Sequence, residues 1–195
     1  MERTSRNVIG RPVSGRCETI SGGHFDSVPQ APGASDNASG ASAVLEIVAV
    51  LASKGEMGGN CFVLFGAEEL GLVGSRYFVG SLDAVPRQHL KAMLNFDMVG
   101  VGDDGWLLIG NPELQQKGQS VAAALGIAAA RGQLPTTTSS DYASFTSAGI
   151  PVLMFYRLTD NLLHTPQDVS DRVRPELLEE AARLGVAVLE ALSAG

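Results

Sequence analysis

Cys61-Phe62-Val63-Leu64-Phe65-Gly66-Ala67-Glu68-Glu69 joins an unbroken apolar run to a pair of acids. A run with no polar residue on either side of the pleat suits a central strand covered on both faces, the situation of parallel sheets whose crossovers carry helices. In such sheets ligands gather at the carboxyl ends of the strands. The acid pair stands at that end.

Outward from this run, strand and helix patterns alternate. Asn7–Arg11 reads as a short edge strand and Cys17–Gly23 as a second strand entering a loop at His24. A helix capped by Asp36 or Ser39 runs to about Ser53, with apolar residues on most of its circumference, so it is expected to be largely buried. Leu70–Val79 is helical, Ala92–Val99 a strand with Asp97 near its carboxyl end, and Trp106–Ile109 a shorter strand. Pro112–Arg131 reads as one helix with proline in its first turn. Pro135–Ser140 is a polar loop, Tyr142–Ala148 a short helix, and Pro151–Tyr156 a strand leading to the loop with His164. Pro175–Leu192 closes the chain as an amphipathic helix. The alternation predicts an α/β fold, three-layer α/β/α, with a largely parallel mixed central sheet.

The chain has 195 residues, 45% of them hydrophobic, which suits one well-buried core. A net charge of -7, with no run of lysines or arginines, argues against nucleic acid as a partner. No apolar run is long enough to span a membrane, and Met1–Gly10 lacks the apolar core of a secretory signal. Cys17 and Cys61 are too few for a disulfide framework and are not spaced as a metal pair; they are read as buried or half-buried free thiols.

His24, Glu68-Glu69, Asp97 and His164 each fall at or just beyond the carboxyl end of an expected strand, and Asp36 heads the helix after the first of them. Side chains from separate elements can therefore meet on one edge of the sheet. Converging carboxylates repel one another unless cations compensate them. Imidazole and carboxylate together suit a borderline cation such as zinc, and two divalent cations balance Asp36, Glu69, Asp97 and one hydroxide. Neighbouring acids in an extended segment point in different directions, so one of the pair can ligate while the other faces the reacting water.

The blocks NVIGR (7–11), GGHFDSV (22–28), GASDNASGASAVLE (33–46), LFGAEELGLVGSRYFV (64–79), NFDMVG (95–100), SDYASFTSAGIPV (140–152) and LLHTPQD (162–168) resemble, in order, the motifs of the co-catalytic di-zinc aminopeptidases. Relatives of that family include glutamate carboxypeptidase, glutaminyl cyclase and the transferrin receptor ectodomain. The resemblance implies a zinc-exopeptidase-like fold, and the chain is read as a single catalytic domain over residues 1–195; the relatives usually carry a helical segment before the NVIG strand and often an inserted protease-associated domain, whereas here only six residues precede Asn7. The resemblance also implies two Zn2+ ions, one held by His24 and Asp97, the other by Glu69 and His164, with Asp36 bridging them. Glu68 would be general base and then general acid, and Asp26 would orient His24. A cis peptide bond is implied at Asp36-Asn37. Peptide substrates and a secreted or extracytoplasmic setting follow from the same resemblance, which says nothing of oligomeric state.

One position departs from the pattern. Several relatives carry a tyrosine before the last histidine, where this chain has Leu163; Tyr142 and Tyr156 are the candidates for the oxyanion or substrate contact. Asp168 is read as either a cap for the last helix or a support for His164. His89 is read as a solvated surface residue and Asp103-Asp104 as a turn. The alternative to an aminopeptidase is a carboxypeptidase or N-acyl amidohydrolase on the same metal site, which needs a cation for the substrate carboxylate, and Arg157 is the candidate. A different class of reading is a binding module that has lost catalysis, as in the receptor branch.

Overall fold

The computed structural model describes residues 4–82, 87–102 and 105–194. Its centre is a sheet in the order β1-β3-β2-β4-β7-β5-β6. These strands are β1 (Val8–Gly10), β2 (Thr19–His24), β3 (Asn60–Phe65), β4 (Ala92–Phe96), β5 (Trp106–Gly110), β6 (Ala129–Gly132) and β7 (Val152–Arg157). β3, β2, β4 and β7 run parallel to one another, β1 is antiparallel to β3, and β5 with its parallel partner β6 runs against β7. The four parallel central strands therefore deliver their carboxyl ends to one edge.

The pleat divides the apolar run of β3 between two cores. Phe62 and Leu64 belong to the core that also takes in α1 (Gly40–Lys54), α3 (Pro112–Ala124) and α5 (Pro175–Ser193). Cys61, Val63 and Phe65 face α2 (Val73–Gly80) and α4 (Tyr142–Ser147), where Phe65 meets Phe78 and Phe145 edge to face. Helices on both faces explain why the strand has no polar residue to spare. The expected three-layer arrangement is present, and Met154 and Phe155 lie in its core.

Three expectations are corrected. Cys17 and Cys61 are not free thiols; they form a disulfide with Cα atoms 5.4 Å apart. The parallel pairing of β2 with β3 sets Ile20 opposite Cys61, so the residues just before β2 come close to the amino end of β3, a proximity that spacing in the chain does not reveal. The helix expected over Pro112–Arg131 stops at Ala124, and Gly126 takes φ 72° to turn the chain into β6. Alanine and arginine have little strand preference, so β6 leaves no local trace. Neither Asp36 nor Ser39 caps α1 with its side chain: a wide turn over Ala34–Ser39 precedes the helix, with Asp36 and Asn37 outside helical φ/ψ. Asp103-Asp104 lies outside the described residues, and His89 is exposed as expected.

Candidate metal centre

Each site residue is placed by a strand end or by the loop that follows it. His24 is the last residue of β2, Asp97 follows β4, Glu68 and Glu69 lie in the turn after β3, and His164 is in the loop after β7 at φ 58°. The peptide bond between Asp36 and Asn37 is cis.

These side chains form two triads that share one residue. His24 Nε2 is 3.1 Å from Asp36 Oδ1 and 3.5 Å from Asp97 Oδ1. His164 Nε2 is 3.0 Å from Asp36 Oδ2 and 3.1 Å from Glu69 Oε2. Within each triad the candidate donor atoms lie within 4.8 Å of one another. Asp36 thus offers one oxygen to each histidine. Glu68 belongs to neither triad, so of the two neighbouring acids it is Glu69 that joins a histidine.

The electrostatics call for cations. Burial, the largest influence on His24, disfavours its charged form, yet the charge of Asp97 and the close carboxylates of Asp26, Asp36 and Asp97 outweigh it and hold the imidazole pKa well above its ordinary value. Burial and the neighbouring Asp36 raise Glu69. Burial first, then the charges of Asp97 and Asp141, push Glu68 up to about 8 against the pull of His24. One carboxylate oxygen in each triad, Asp97 Oδ1 and Glu69 Oε1, is buried with no hydrogen-bond partner. A buried acceptor left unpaired costs about 1–3 kcal/mol, more when charged. Two imidazoles, three carboxylates and two orphaned oxygens fit a pair of divalent ions of zinc type.

Outer residues fix the donors. Asp26 Oδ1 is 3.7 Å from His24 Nδ1, and the same ring nitrogen is 3.1 Å from the Asp26 carbonyl oxygen. The two carboxylate oxygens of Asp26 also accept from the amides of Glu68 (3.0 Å) and Glu69 (3.3 Å), so one side chain sets both a histidine and the acid turn. These bonds lower the Asp26 pKa even though burial alone would raise it. Asp168 neither caps the last helix nor bonds to His164. It is fully buried and accepts from the amides of Ser35 (2.7 Å) and Asp36 (3.1 Å), bracing the turn that presents the shared carboxylate.

Asn37, whose side chain the sequence did not single out, clasps the same region. Its Nδ2 donates to the Phe96 carbonyl at 2.9 Å and its Oδ1 accepts from Gly40 N and Met98 N. A Cβ on Gly23 or on Gly40 would overlap that Phe96 carbonyl oxygen. Asp141 is the other residue that sequence reasoning misses, although it stands inside the block 140–152. Of the two tyrosines, Tyr156 is half-buried within electrostatic reach of Asp97 and Asp36, whereas Tyr142 packs beside the aromatic cluster of α2 and α4. Leu163 is 37% exposed beside His164. Arg157 is buried, donates from Nη2 to the Gly102 carbonyl and lies over Trp106 at 5.1 Å, so it is built into the sheet.

An α/β sheet with histidines and carboxylates gathered at the carboxyl ends of its parallel strands is the architecture of a metal-dependent α/β protein. Residues 7–189 match the family model of peptidase family M28, and the chain belongs to that family. Aminopeptidase YwaD of Bacillus subtilis (strain 168) is 33% identical over 204 residues, covering 96% of this chain and 44% of that protein. Leupeptin-inactivating enzyme 1 of Streptomyces exfoliatus is 37% identical over 138 residues, covering 68% of this chain and 31% of its own. Among solved structures, BSAP, a zinc aminopeptidase from Bacillus subtilis, superposes with TM-score 0.82 at 28% identity, over 95% of this chain and 49% of that one. The chain spans less than half the length of these relatives.

Proposed function

We propose that the chain is the catalytic unit of a di-zinc aminopeptidase. The observation that carries this reading is Asp36, whose two oxygens are directed one to each histidine, making two donor sets around a shared carboxylate. His24, Asp97 and Asp36 would hold one zinc; His164, Glu69 and Asp36 the other. The bound ions would supply Lewis acidity, acidifying water and polarising a substrate carbonyl.

The protein's own part falls to Glu68. Its half-buried carboxylate, beside Glu69 but in neither donor set, suits a group that takes a proton from attacking water as the C–O bond forms and gives it to the leaving amine nitrogen as the C–N bond breaks. Asp26 holds Glu68 through its backbone, so base and His24 share one support. The surplus of carboxylates around the centre favours a substrate with a free, cationic N-terminus. A carboxypeptidase or N-acyl amidohydrolase needs a cation for the substrate carboxylate, and the engagement of Arg157 with Gly102 and Trp106 counts against its serving there.

The test is to load the purified chain with zinc and offer aminoacyl p-nitroanilides and short peptides, each with a free and an acetylated N-terminus. Cleavage of the free-amine set alone, lost on chelation, is expected. Failure to cleave any of them, or preference for the acetylated set, would overturn the proposal.

A further inference from the structure

Asp141 is fully buried, and neither of its carboxylate oxygens has a hydrogen-bond partner. It precedes α4, the position where an aspartate commonly accepts from the helix amides, yet its side chain makes no cap bond. The Ser75 hydroxyl is close enough to favour the Asp141 charge, but its own bonds go to the Leu72 carbonyl and Ser144, and the neighbouring Ser140 hydroxyl accepts from Asn95. Beyond that weak contact with Ser75, neither a helix cap nor an ion pair uses the carboxylate among the described residues. Burying an ionised group without a partner is costly, so such a group either takes up a proton or lies in the field of a cation.

The groups within its electrostatic reach belong to one side of the centre. His24 favours its charge, while Asp97 and Asp26 oppose it, and Asp141 in turn acts on Glu68. Burial before all else, and then these acids, push the Asp141 carboxyl up to about 7. A dication held by His24 and Asp97 would favour the Asp141 charge, because a bound ion is the largest local charge in such a site.

We propose that Asp141 is a positioning residue of the His24–Asp97 half, a buried anion that strengthens the hold on that ion without touching it. The proposal rests on the reading of His24, Asp36 and Asp97 as zinc ligands. It predicts effects of opposite sense in the two states of the protein. Without metal, the Asp141 charge repels Asp97 and lacks a partner; with metal, it is compensated.

The experiment compares the 195-residue chain with its Asp141→Asn variant at pH 8, by zinc competition against a chromophoric chelator and by thermal melting with and without zinc. The expected result is a loss of affinity for the tighter ion of roughly 10–100-fold, the range for contacts outside the ligand set. The metal-free variant is expected to melt no lower than the metal-free wild type, and the rise in Tm on adding zinc to shrink. Unchanged affinity overturns the proposal, as does an equal fall in Tm in both states, which marks a purely structural residue. Should Asp141→Asn not fold, Asp141→Ser removes the same charge within the serine cluster and is judged by the same criteria. A wild type that takes up no zinc overturns the ligand reading itself, and the proposal with it.

Discussion

His24 and His164 approach the same aspartate at almost the same distance, 3.1 and 3.0 Å, but the first side chain is 1% exposed and the second 42%. The difference follows from position. His24 closes a central strand whose six residues are all buried, whereas His164 sits in a surface loop at positive φ. In the His24 half the histidine, Asp97 and Asn37 are all buried; in the other half the opening is at His164 itself. In the buried half charges interact through protein, so attraction to a cation and repulsion between acids are both stronger. One centre thus has a deep seat suited to holding an ion and an open seat suited to meeting a substrate.

Asp36→Ala is the largest blow to this picture, because both halves depend on it. Both ions are expected to be lost together, each affinity falling by more than the roughly 100-fold that supporting contacts can cost, with activity lost as well. Metal analysis after gel filtration reads the result, and two retained zincs would refute bridging. Glu68→Gln is expected to keep both ions and lower turnover by about 10²–10⁴, the usual worth of a general base. Near-normal turnover would remove Glu68 from that role.

The asymmetry itself is tested by timed chelation. One zinc is expected to leave first, and His164→Ala should abolish that phase while the slower one persists; a single phase in the wild type would mean that the two seats are equivalent. A smaller effect appears in the metal-free protein as pH changes. Glu68 is raised from 4.5 to about 8 and Asp141 from 3.8 to about 7, so the folded form keeps protons that the unfolded chain releases. Stability then falls as pH rises from about 4 to about 8. Raised His24 adds to the same trend above 6.5. Melting the metal-free protein at pH 5 and pH 8 should show the drop, and zinc should reduce it; a rise with pH would contradict the assigned shifts.

The smallest effect on the site is expected from the disulfide, which lies at the amino ends of β2 and β3, away from the ligands. Replacing Cys17 and Cys61 by alanine should leave turnover at 25 °C unchanged. By chain entropy the cross-link, spanning 44 positions, is worth about 4 kcal/mol, so Tm should fall markedly. A loss of turnover in protein still folded would show that the two ends of these strands are coupled.

The parts of the site written in local sequence are legible from the order of residues alone. Buried strands such as β3 and β4 announce themselves as apolar runs, and an ionisable residue at the end of such a run marks the carboxyl edge, which picks out Glu68-Glu69 and Asp97. β2 (TISGGH) has little apolar signal and His164 lies well beyond β7, so the two histidines stand out by their glycine-rich and polar loops instead. Parallel neighbours then have to bring them together. What local sequence does not carry is partnership across the chain. Asp168 bonds to amides more than a hundred positions away, and its own neighbourhood suggests only a helix cap or a partner for His164. The cysteines meet only because β2 and β3 pair in one particular register. β6 owes its form to pairing with β5, not to its own residues, and its composition blends into the helix before it. Asp141 escapes notice because burial, and not its neighbours in the chain, makes it unusual.

The carbonyl of Phe96 is approached by Gly23 and Gly40 and accepts from Asn37, so β2 and the turn into α1 both converge on one oxygen at the end of β4. In a mutational scan scored by turnover, Gly23 and Gly40 should therefore cluster with the ionisable residues, although neither has a side chain to offer a metal or a substrate. Intolerance at these positions reports on spacing, and a map of essential positions drawn from such a scan would outline the shape of the backbone as much as the chemistry it supports.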